Sequence, residues 1–251
     1  YVPGAALAAG FTYPQSALGS PAQITGGGMP FESVVSPFNP PYLPSEIVSI
    51  GAGGWLTLRL ERFAVPQPLT PEIGVFTNVG IIDAGYPNGA VGTPPATFGV
   101  DAAEVEVSDD GLAWVSLGHT TFDIPTNAYA DLTDPYSPTA GAVDADFGQA
   151  FSGVLADFAG AVYEPDVRAL LAGSGGGTWL DISATGLDRV GYVRFRVGDA
   201  VAGSNFELDA VSVADAATGE LVPEPAAFTL FACLSLAMLS TRRRRRSFDK
   251  R

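Results

Sequence analysis

The sequence predicts an all-β protein, a β-sandwich, that is followed by a single membrane-spanning helix at the carboxyl end. Glycine (30 residues) and proline (20 residues) make up about a fifth of the 251 residues and interrupt short apolar runs throughout the chain. Several of these runs alternate apolar and polar residues with the period of two that is typical of half-buried strands. Few segments have a helical period, so we expect a sandwich or barrel of short strands.

The strand-like runs begin after a segment of different composition. Residues 1–44 are rich in proline and glycine and predict irregular chain with one edge strand. Residues 45–215 predict the β-sandwich domain, in which Asp109-Asp110-Gly111 is typical of a hairpin turn. The predicted strands of this domain are Ile47–Ile50, Trp55–Arg62, Ile73–Thr77, Glu104–Ser108, Leu112–Leu117, Tyr192–Val197 and Phe206–Val213.

A long acidic insertion, residues 120–177, separates the hairpin from the last two strands. Its one helix-like piece runs from about Asp166 to Ala172. The glycine-rich run Gly173–Gly177 ends this piece and lacks the Lys-Ser/Thr of a phosphate-binding loop, so we expect a flexible connector there.

The charge is divided unevenly along the chain. Residues 1–221 contain six basic and twenty-five acidic residues, a net charge of −19, whereas seven basic residues follow residue 241. An acidic surface of this kind repels nucleic acid and anionic lipid, and it suits solubility or cation binding. The only cysteine, Cys233, lies in the carboxyl-terminal apolar run, so the body needs no disulfide.

The last thirty residues combine three features. Val222-Pro223-Glu224-Pro225 precedes an uncharged apolar run, residues 226–241. As a helix, this run would span roughly 24 Å, slightly less than a bilayer usually requires, and snorkelling flanks or local thinning can cover the deficit. The basic residues after it remain cytoplasmic and place the body outside; they are Arg242, Arg243, Arg244, Arg245 and Arg246. A permanent membrane anchor and a buried core helix are the alternative interpretations.

This three-part tail resembles the PEP-CTERM sorting signal of exported bacterial proteins. The resemblance implies that Val222, Pro223, Glu224 and Pro225 form the recognition motif of an exosortase-type membrane protease, which processes the chain near that motif. It also implies display at the cell surface of a bacterium that makes extracellular polysaccharide. This address predicts a secretory signal peptide, of which the chain shows none.

Four segments of the body resemble PEP-CTERM surface proteins as well. Val48–Leu58 is similar to their "SLG-x-GG-x-LTL" strand, and Glu104–Gly111 is similar to their "VEVS-x-DG" hairpin. Tyr192–Phe195 and Phe206–Val211 are similar to their last two strands. The resemblance implies a galactose-binding-like jelly roll, although the biochemical activity of such bodies is undefined.

Asp209 is the strongest candidate for a metal ligand. Strict alternation places it on the same face as Val211 and Val213, and a buried carboxylate needs a cation or several donors. Jelly-roll carbohydrate-binding modules hold a structural Ca²⁺ through an aspartate in a similar "LD-x-V" strand, so the resemblance implies calcium here, with Glu46 as a second carboxylate. Alternatively, a bulge turns Asp209 to solvent, or an arginine or backbone amides satisfy it.

Trp114 is the candidate carbohydrate-binding residue. It lies opposite Val115 and Leu117 in the alternation, which predicts an exposed indole on which a sugar could stack. Packing in the core or between strands is the alternative for this tryptophan, as it is for Trp55 and Trp179.

These observations favour an exported, non-enzymatic surface or extracellular-matrix protein that is associated with exopolysaccharide. A carbohydrate-binding module with a structural calcium is one alternative. A surface glycoside hydrolase that uses a carboxylate pair is another, since the acidic residues offer many pairs. A Ser-His-Asp triad would depend entirely on His119, the only histidine, and no G-x-S-x-G motif occurs.

Overall fold

The structure, a computed structural model, describes residues 1–5, 10–29, 31–199 and 205–224. Their regular secondary structure is mainly strand, with a few helical turns, which confirms the predicted all-β class. The strands are, in chain order, β1 (Ile24–Thr25), β2 (Ser33–Val34), β3 (Val48–Gly51), β4 (Trp55–Ala64), β5 (Ile73–Thr77), β6 (Gly80–Ile81), β7 (Thr97–Phe98), β8 (Asp101–Ser108), β9 (Val115–Phe122), β10 (Thr178–Leu180), β11 (Val190–Arg196), β12 (Asn205–Val213) and β13 (Thr218–Leu221).

Two sheets make up the frame of the body. One has four strands in the order β10-β5-β12-β3, and the other has five in the order β13-β4-β11-β8-β9. The ring of Phe206 on β12 lies 5.1 Å from that of Phe195 on β11 and 4.8 Å from that of Phe122 on β9, measured between centroids. Because all three rings are buried, the sheets pack face to face across an aromatic core.

The alternation of β4 decides which of its residues enter this core. Leu56, Leu58 and Leu60 are buried, whereas Thr57 and Arg59 are half-exposed on the opposite face. A strand buries every second side chain, so one face of the five-stranded sheet is apolar and the other is polar.

The helical elements are single turns. The predicted helix over Asp166–Ala172 corresponds to a π-helical turn, Tyr163–Val167, that continues into the α-helix α1, Arg168–Leu171. Ala172, with φ +50°, ends α1 in a left-handed conformation. The 3₁₀ turns are Pro14–Ala17, Leu155–Phe158, Ser183–Thr185 and Asp215–Ala217.

The acidic insertion packs into a hydrophobic core that it shares with earlier parts of the chain. Phe158, Tyr163 and Val167 are buried there together with Ile81 and Val91, which precede the predicted insertion in sequence. The ring of Phe147 packs edge-on against Phe76 of β5, at 5.3 Å between centroids. Residues from before and within the insertion therefore share one folded layer.

The glycine run that we expect to be a flexible connector is packed instead. Ser174, Gly175, Gly176 and Gly177 are buried, and Gly176 forms a β-bridge with Thr126. A Cβ on Gly177 would lie 2.8 Å from the ring of Phe76, and Gly177 has φ +75°. The glycines are needed because the backbone passes close to its neighbours in a left-handed conformation, and sequence composition alone does not reveal that approach.

The amino-terminal segment contains more regular structure than one edge strand. β1 and β2 form an antiparallel pair, and Val2 bridges Trp55 at the start of β4. The Ser49 and Gly51 amides of β3 donate to the carbonyls of Phe11 and Pro3. Much of residues 1–44 is therefore attached to the four-stranded sheet and to the β3–β4 turn.

By internal contacts the chain divides into two units, Tyr1–Glu220 and Leu221–Arg251. In the second unit the structure describes only residues 221–224, of which 222–224 have no regular secondary structure. The described ranges contain no helix with the length and apolarity needed to span a bilayer. The predicted transmembrane helix, residues 226–241, lies outside them.

Candidate functional site

The outward face of the five-stranded sheet gathers polar and aromatic side chains in rows across its strands. In one row Arg196 of β11 pairs with Trp55 of β4 and with Glu104 of β8, which pairs with His119 of β9. In the next row Arg194 pairs with Thr57 and Glu106, and Glu106 pairs with Ser116. We call this surface the outer face. Trp114, the residue that precedes β9, packs its ring against this face.

Arg194 is the centre of the outer face. Its guanidinium lies 3.7 Å from the centroid of the Trp114 ring and 5.3 Å from that of Trp55. Its Nε donates to Thr57 Oγ1 at 2.9 Å, and its Nη1 lies 3.4 Å from Glu106 Oε2. Because Thr57 and Glu106 hold the planar guanidinium in place, it fixes the orientation of the Trp114 indole that packs on it.

Trp114 is therefore neither a core residue nor a freely exposed one. Its side chain is half-buried, and the guanidinium of Arg194 covers one face of the ring. Sequence alternation indicated that it points away from the core, but the cation–π contact with Arg194 is not visible in the sequence, because the two residues are eighty positions apart.

At the β3–β4 end of the outer face lies a cavity of about 260 Å³. Arg196, Glu104 and Asp199 contribute charged side chains to its wall, and Gly53 and Gly54 line it with backbone. Glu106 and Ser116 also line it, and Glu106 Oε2 lies 3.8 Å from Arg196 Nη1. The cavity therefore joins the polar rows of the outer face to a glycine-rich rim.

Asp209, the predicted metal ligand, is buried, with 2% of its surface exposed. The register of β12 against β5 shifts between Leu208 and Ala210, so Asp209 is the extra residue of a bulge. Both carboxylate oxygens accept from the amide of Ala22, at 3.0 and 3.2 Å. Burial raises the pKa of the Asp209 carboxyl to about 8, the Ala22 hydrogen bond lowers it, and the nearby Glu46 carboxylate raises it further.

Glu46 holds a turn in front of β3. Its Oε2 accepts from the amides of Tyr42 and Leu43, both at 3.0 Å, and from the hydroxyl of Thr25 at 2.6 Å. Together, Glu46 and Asp209 attach residues 22–25 to the four-stranded sheet. The two predicted ligands are thus near each other and contact the amino-terminal segment, as the calcium hypothesis required.

The partners of these two carboxylates do not resemble a calcium shell. Ca²⁺ takes six to eight oxygen ligands, but Asp209 and Glu46 are surrounded by N–H and O–H donors. Within the described residues no group of three or more His, Cys, Asp or Glu is arranged to hold a metal. This donor set favours the interpretation in which backbone amides satisfy Asp209.

A second pair of carboxylates was not singled out by the sequence. Asp101, at the start of β8, accepts the amide of Glu207 at 2.7 Å, and burial raises the pKa of Asp101 to about 7. Burial also raises the pKa of Glu207, although hydrogen bonds from Asn78 and Asn205 lower it. Asp101 and Glu207 come from different sheets, so no local spacing could have indicated the pair.

The remaining candidates have structural surroundings. Asp110 Oδ1 accepts the amides of Leu112 and Ala113, and these bonds lower the pKa of Asp110, as expected for a turn. His119 is exposed on the outer face, and its Nδ1 lies 3.7 Å from Glu104 Oε1. Among the described residues no serine is hydrogen-bonded to His119, so the structure gives no support to a triad.

The sorting motif is only partly described. Val222, Pro223 and Glu224 follow β13, while Pro225 and the five arginines, residues 242–246, lie outside the described residues.

No protein-family model, no curated protein and no solved structure matches this chain.

Proposed function

We propose that this protein is an exported surface or extracellular-matrix protein that its carboxyl-terminal tail holds in the membrane until an exosortase-type protease processes it. The tail carries the proposal: a Pro-Glu-Pro motif, an uncharged run of sixteen residues and five arginines follow directly on the body. The membrane helix and the contacts of the body with exopolysaccharide are part of this proposal.

Two features of the body support it. The first compact unit ends at Glu220, two residues before the motif begins, as expected if the tail is a separate module. The body is also free of cysteine and strongly acidic, so it can fold outside the cell without disulfides and is repelled by anionic lipid.

The test compares a host that has an exosortase with one that lacks it. We expect the mature protein to be shorter and released from the membrane only in the first host, as measured by intact mass and membrane fractionation. Glu224→Ala should leave the uncut form in the membrane of both hosts. Glu220→Ala, which removes a charge from exposed chain four residues upstream, is the matched control and should be processed normally. An identical mature mass in both hosts would contradict the proposal.

A carbohydrate-binding module is the second candidate function. The outer face favours it, because a tryptophan held by an arginine, next to further arginine and glutamate side chains, supplies both a stacking surface and hydrogen-bonding groups. Two facing sheets are also compatible with the galactose-binding-like jelly roll that the sequence resembles. The calcium of that hypothesis receives no support from the donors around Asp209.

The hydrolase alternative is tested by the same preparations. Turnover of a polysaccharide that Asp101→Asn or Glu207→Gln abolishes, while the fold is kept, would favour it over both binding and structural roles. We expect no turnover, because each of these two carboxylates is occupied by hydrogen bonds within the body.

A further inference from the structure

We infer that the cavity at Arg196, together with Trp114, is a subsite for a neutral polysaccharide chain. This inference rests on the carbohydrate-binding candidate and adds to it a place, a set of residues and a class of sugar. It depends on the polar side chains of the cavity, on its shape and on the direction of the outer face.

Hydrogen-bonding groups of several side chains face the cavity. The Arg196 side chain is 54% exposed, and its nearest carboxylate oxygen, on Glu106, is 3.8 Å away. Glu106 is already engaged by Arg194, so Arg196 keeps donors for a ligand. Glu104 Oε1 lies 3.7 Å from His119 Nδ1, beyond hydrogen-bond distance. Among the described residues neither Glu104 nor Asp199 accepts a hydrogen bond within the chain, and both carboxylates line the same cavity. A sugar hydroxyl can donate to such a carboxylate while it accepts from the guanidinium.

The shape of the cavity limits what it can hold. Gly53 and Gly54 line one side of it with backbone, and the Asp199 carboxylate lies over Gly53, where a Cβ would collide with it. A ligand on this side would therefore meet the Asp199 carboxylate. The volume of about 260 Å³ is slightly below the usual range for drug-sized ligands and suits a single sugar unit.

The direction of the outer face relates the cavity to Trp114. Arg194 and Arg196 are successive residues on one face of β11 and are therefore about 7 Å apart. Trp114 lies over Arg194, and the cavity lies at Arg196, so a stacking surface and a polar subsite follow each other along the strand. One unit of a chain can stack on Trp114 while a neighbouring unit occupies the cavity.

Charge determines the class of sugar. Three carboxylates, from Glu104, Glu106 and Asp199, line the cavity together with a single guanidinium, that of Arg196. The body around them has a net charge of −19. A uronate would meet like charges at the cavity and across the surface, whereas a neutral hexose would not. Neutral polysaccharide is therefore the expected ligand.

The experiment uses the full-length protein in mild detergent and affinity electrophoresis in native gels that contain soluble glucan, galactan or mannan. We expect at least one of these neutral polymers to retard the wild type, and polygalacturonate to retard it less. Arg196→Gln should raise the dissociation constant roughly tenfold or more, because charge-assisted hydrogen bonds to the sugar are lost. Trp114→Ala should also weaken binding, and Trp114→Phe should restore part of it.

Arg62→Gln is the matched control, because it removes the same charge from an exposed position farther along β4. It should bind like the wild type. Near-ultraviolet circular dichroism and the unfolding temperature establish that each variant is folded.

The possible results separate the inference from the function on which it rests. If a neutral polymer retards the wild type and Arg196→Gln equally, the subsite is wrong while the carbohydrate-binding candidate stands. If none of the four polymers retards the wild type, both are wrong. A preference for polygalacturonate overturns the assignment of a neutral sugar and leaves the carbohydrate-binding candidate standing.

Discussion

At the scale of single residues, the buried carboxyl of Asp209 makes the stability of the fold depend on pH. Its carboxyl is buried, and burial raises its pKa to about 8, whereas an unfolded aspartate has a pKa of about 3.9. The folded state therefore binds a proton that the unfolded state releases. The stabilisation from this proton is fully present below the unfolded pKa and is lost as the pH rises from about 4 to about 8.

The first prediction concerns Asp209→Asn, which keeps the shape of the carboxyl group but cannot ionise. At pH 5 we expect the variant and the wild type to unfold at similar temperatures. At pH 8.5, in the presence of EDTA, the variant should unfold at a temperature higher by roughly 5 °C or more, because the wild type must bury a charge. Thermal unfolding, followed by circular dichroism at both pH values, measures this difference.

Asp188→Asn is the control for this prediction, since Asp188 is exposed, and its effect should be the same at both pH values. A pH-independent effect of Asp209→Asn would contradict the prediction. If calcium raises the unfolding temperature of the wild type at pH 8.5 but not that of Asp209→Asn, the calcium hypothesis is supported instead. The comparison therefore distinguishes a protonated carboxyl from a metal ligand.

Sequence reasoning could find Asp209 but not its partner. The alternation of residues within β12, with its period of two, predicted that Asp209 lies on the apolar face of the strand. The bulge at Asp209 and the amide of Ala22, 187 positions away, depend on how the amino-terminal segment is placed against the sheet. The same holds for Trp114, whose direction followed from alternation and whose contact with Arg194 did not.

At the scale of elements, Asp101 replaces a missing strand partner. β5 ends at Thr77, which pairs with Leu208, so Glu207 lies one residue beyond the last partner that β5 provides. The Glu207 amide donates to the Asp101 carboxylate instead. A partly buried amide that loses its acceptor is costly, so this bond fixes the start of β8 to the first part of β12.

The second prediction is that Asp101→Ala destabilises the body by about 1–2 kcal/mol, because the Glu207 amide loses its acceptor. Asp101→Asn should cost less at neutral pH, since its side-chain oxygen can still accept the bond. Urea unfolding curves, fitted for the free energy of unfolding, provide the measurement. Equal losses for the two variants would mean that the hydrogen bond to Glu207 contributes little.

The third prediction concerns the packed glycine run. Gly177→Ala should destabilise the body by roughly 2 kcal/mol or more, because the new Cβ meets the Phe76 ring in addition to the strain of a positive φ. Gly186 is the matched control: its φ is +73°, but a Cβ there would have nothing within 4 Å. Gly186→Ala should cost about 1 kcal/mol, the conformational part alone. If both substitutions have the same cost, the close packing at Gly177 is not important for stability.

Strands of five residues or more were predictable, whereas β13, of four residues, lies beyond the predicted end of the domain at residue 215 and was not predicted. β4, β8, β11 and β12 follow the alternation that indicated them, with ends displaced by a few residues. A two-residue strand such as β6 has no period that could be recognised. Gly173–Gly177 looked flexible because glycine composition does not tell a mobile loop from a backbone that must pass close to an aromatic ring.

At the scale of the whole molecule, charge is separated between body and tail. The body up to residue 221 has a net charge of −19, and seven basic residues follow residue 241. An arginine run beside an apolar segment orients that segment in a membrane, and an acidic body is repelled by anionic headgroups. This separation was predictable from the sequence alone, because it depends on composition and not on packing.

The fourth prediction is that the tail provides membrane attachment and no stability. A chain that ends at Val222 keeps the whole first unit, so its unfolding temperature should match that of the full-length protein to within about 2 °C. In a host without exosortase, the full-length protein should sediment with membranes, and the shortened chain should not.

Changing all five arginines, residues 242–246, to glutamine keeps the apolar run but removes the charge that orients it. This variant should remain in the membrane fraction. The fraction that inserts in the opposite direction should have its body inside the spheroplast, where added protease cannot cleave it. Protease treatment of spheroplasts, with the wild type as the reference for an outward body, measures that fraction. A shortened chain that still sediments with membranes would place the attachment in the body and would contradict the role proposed for the tail.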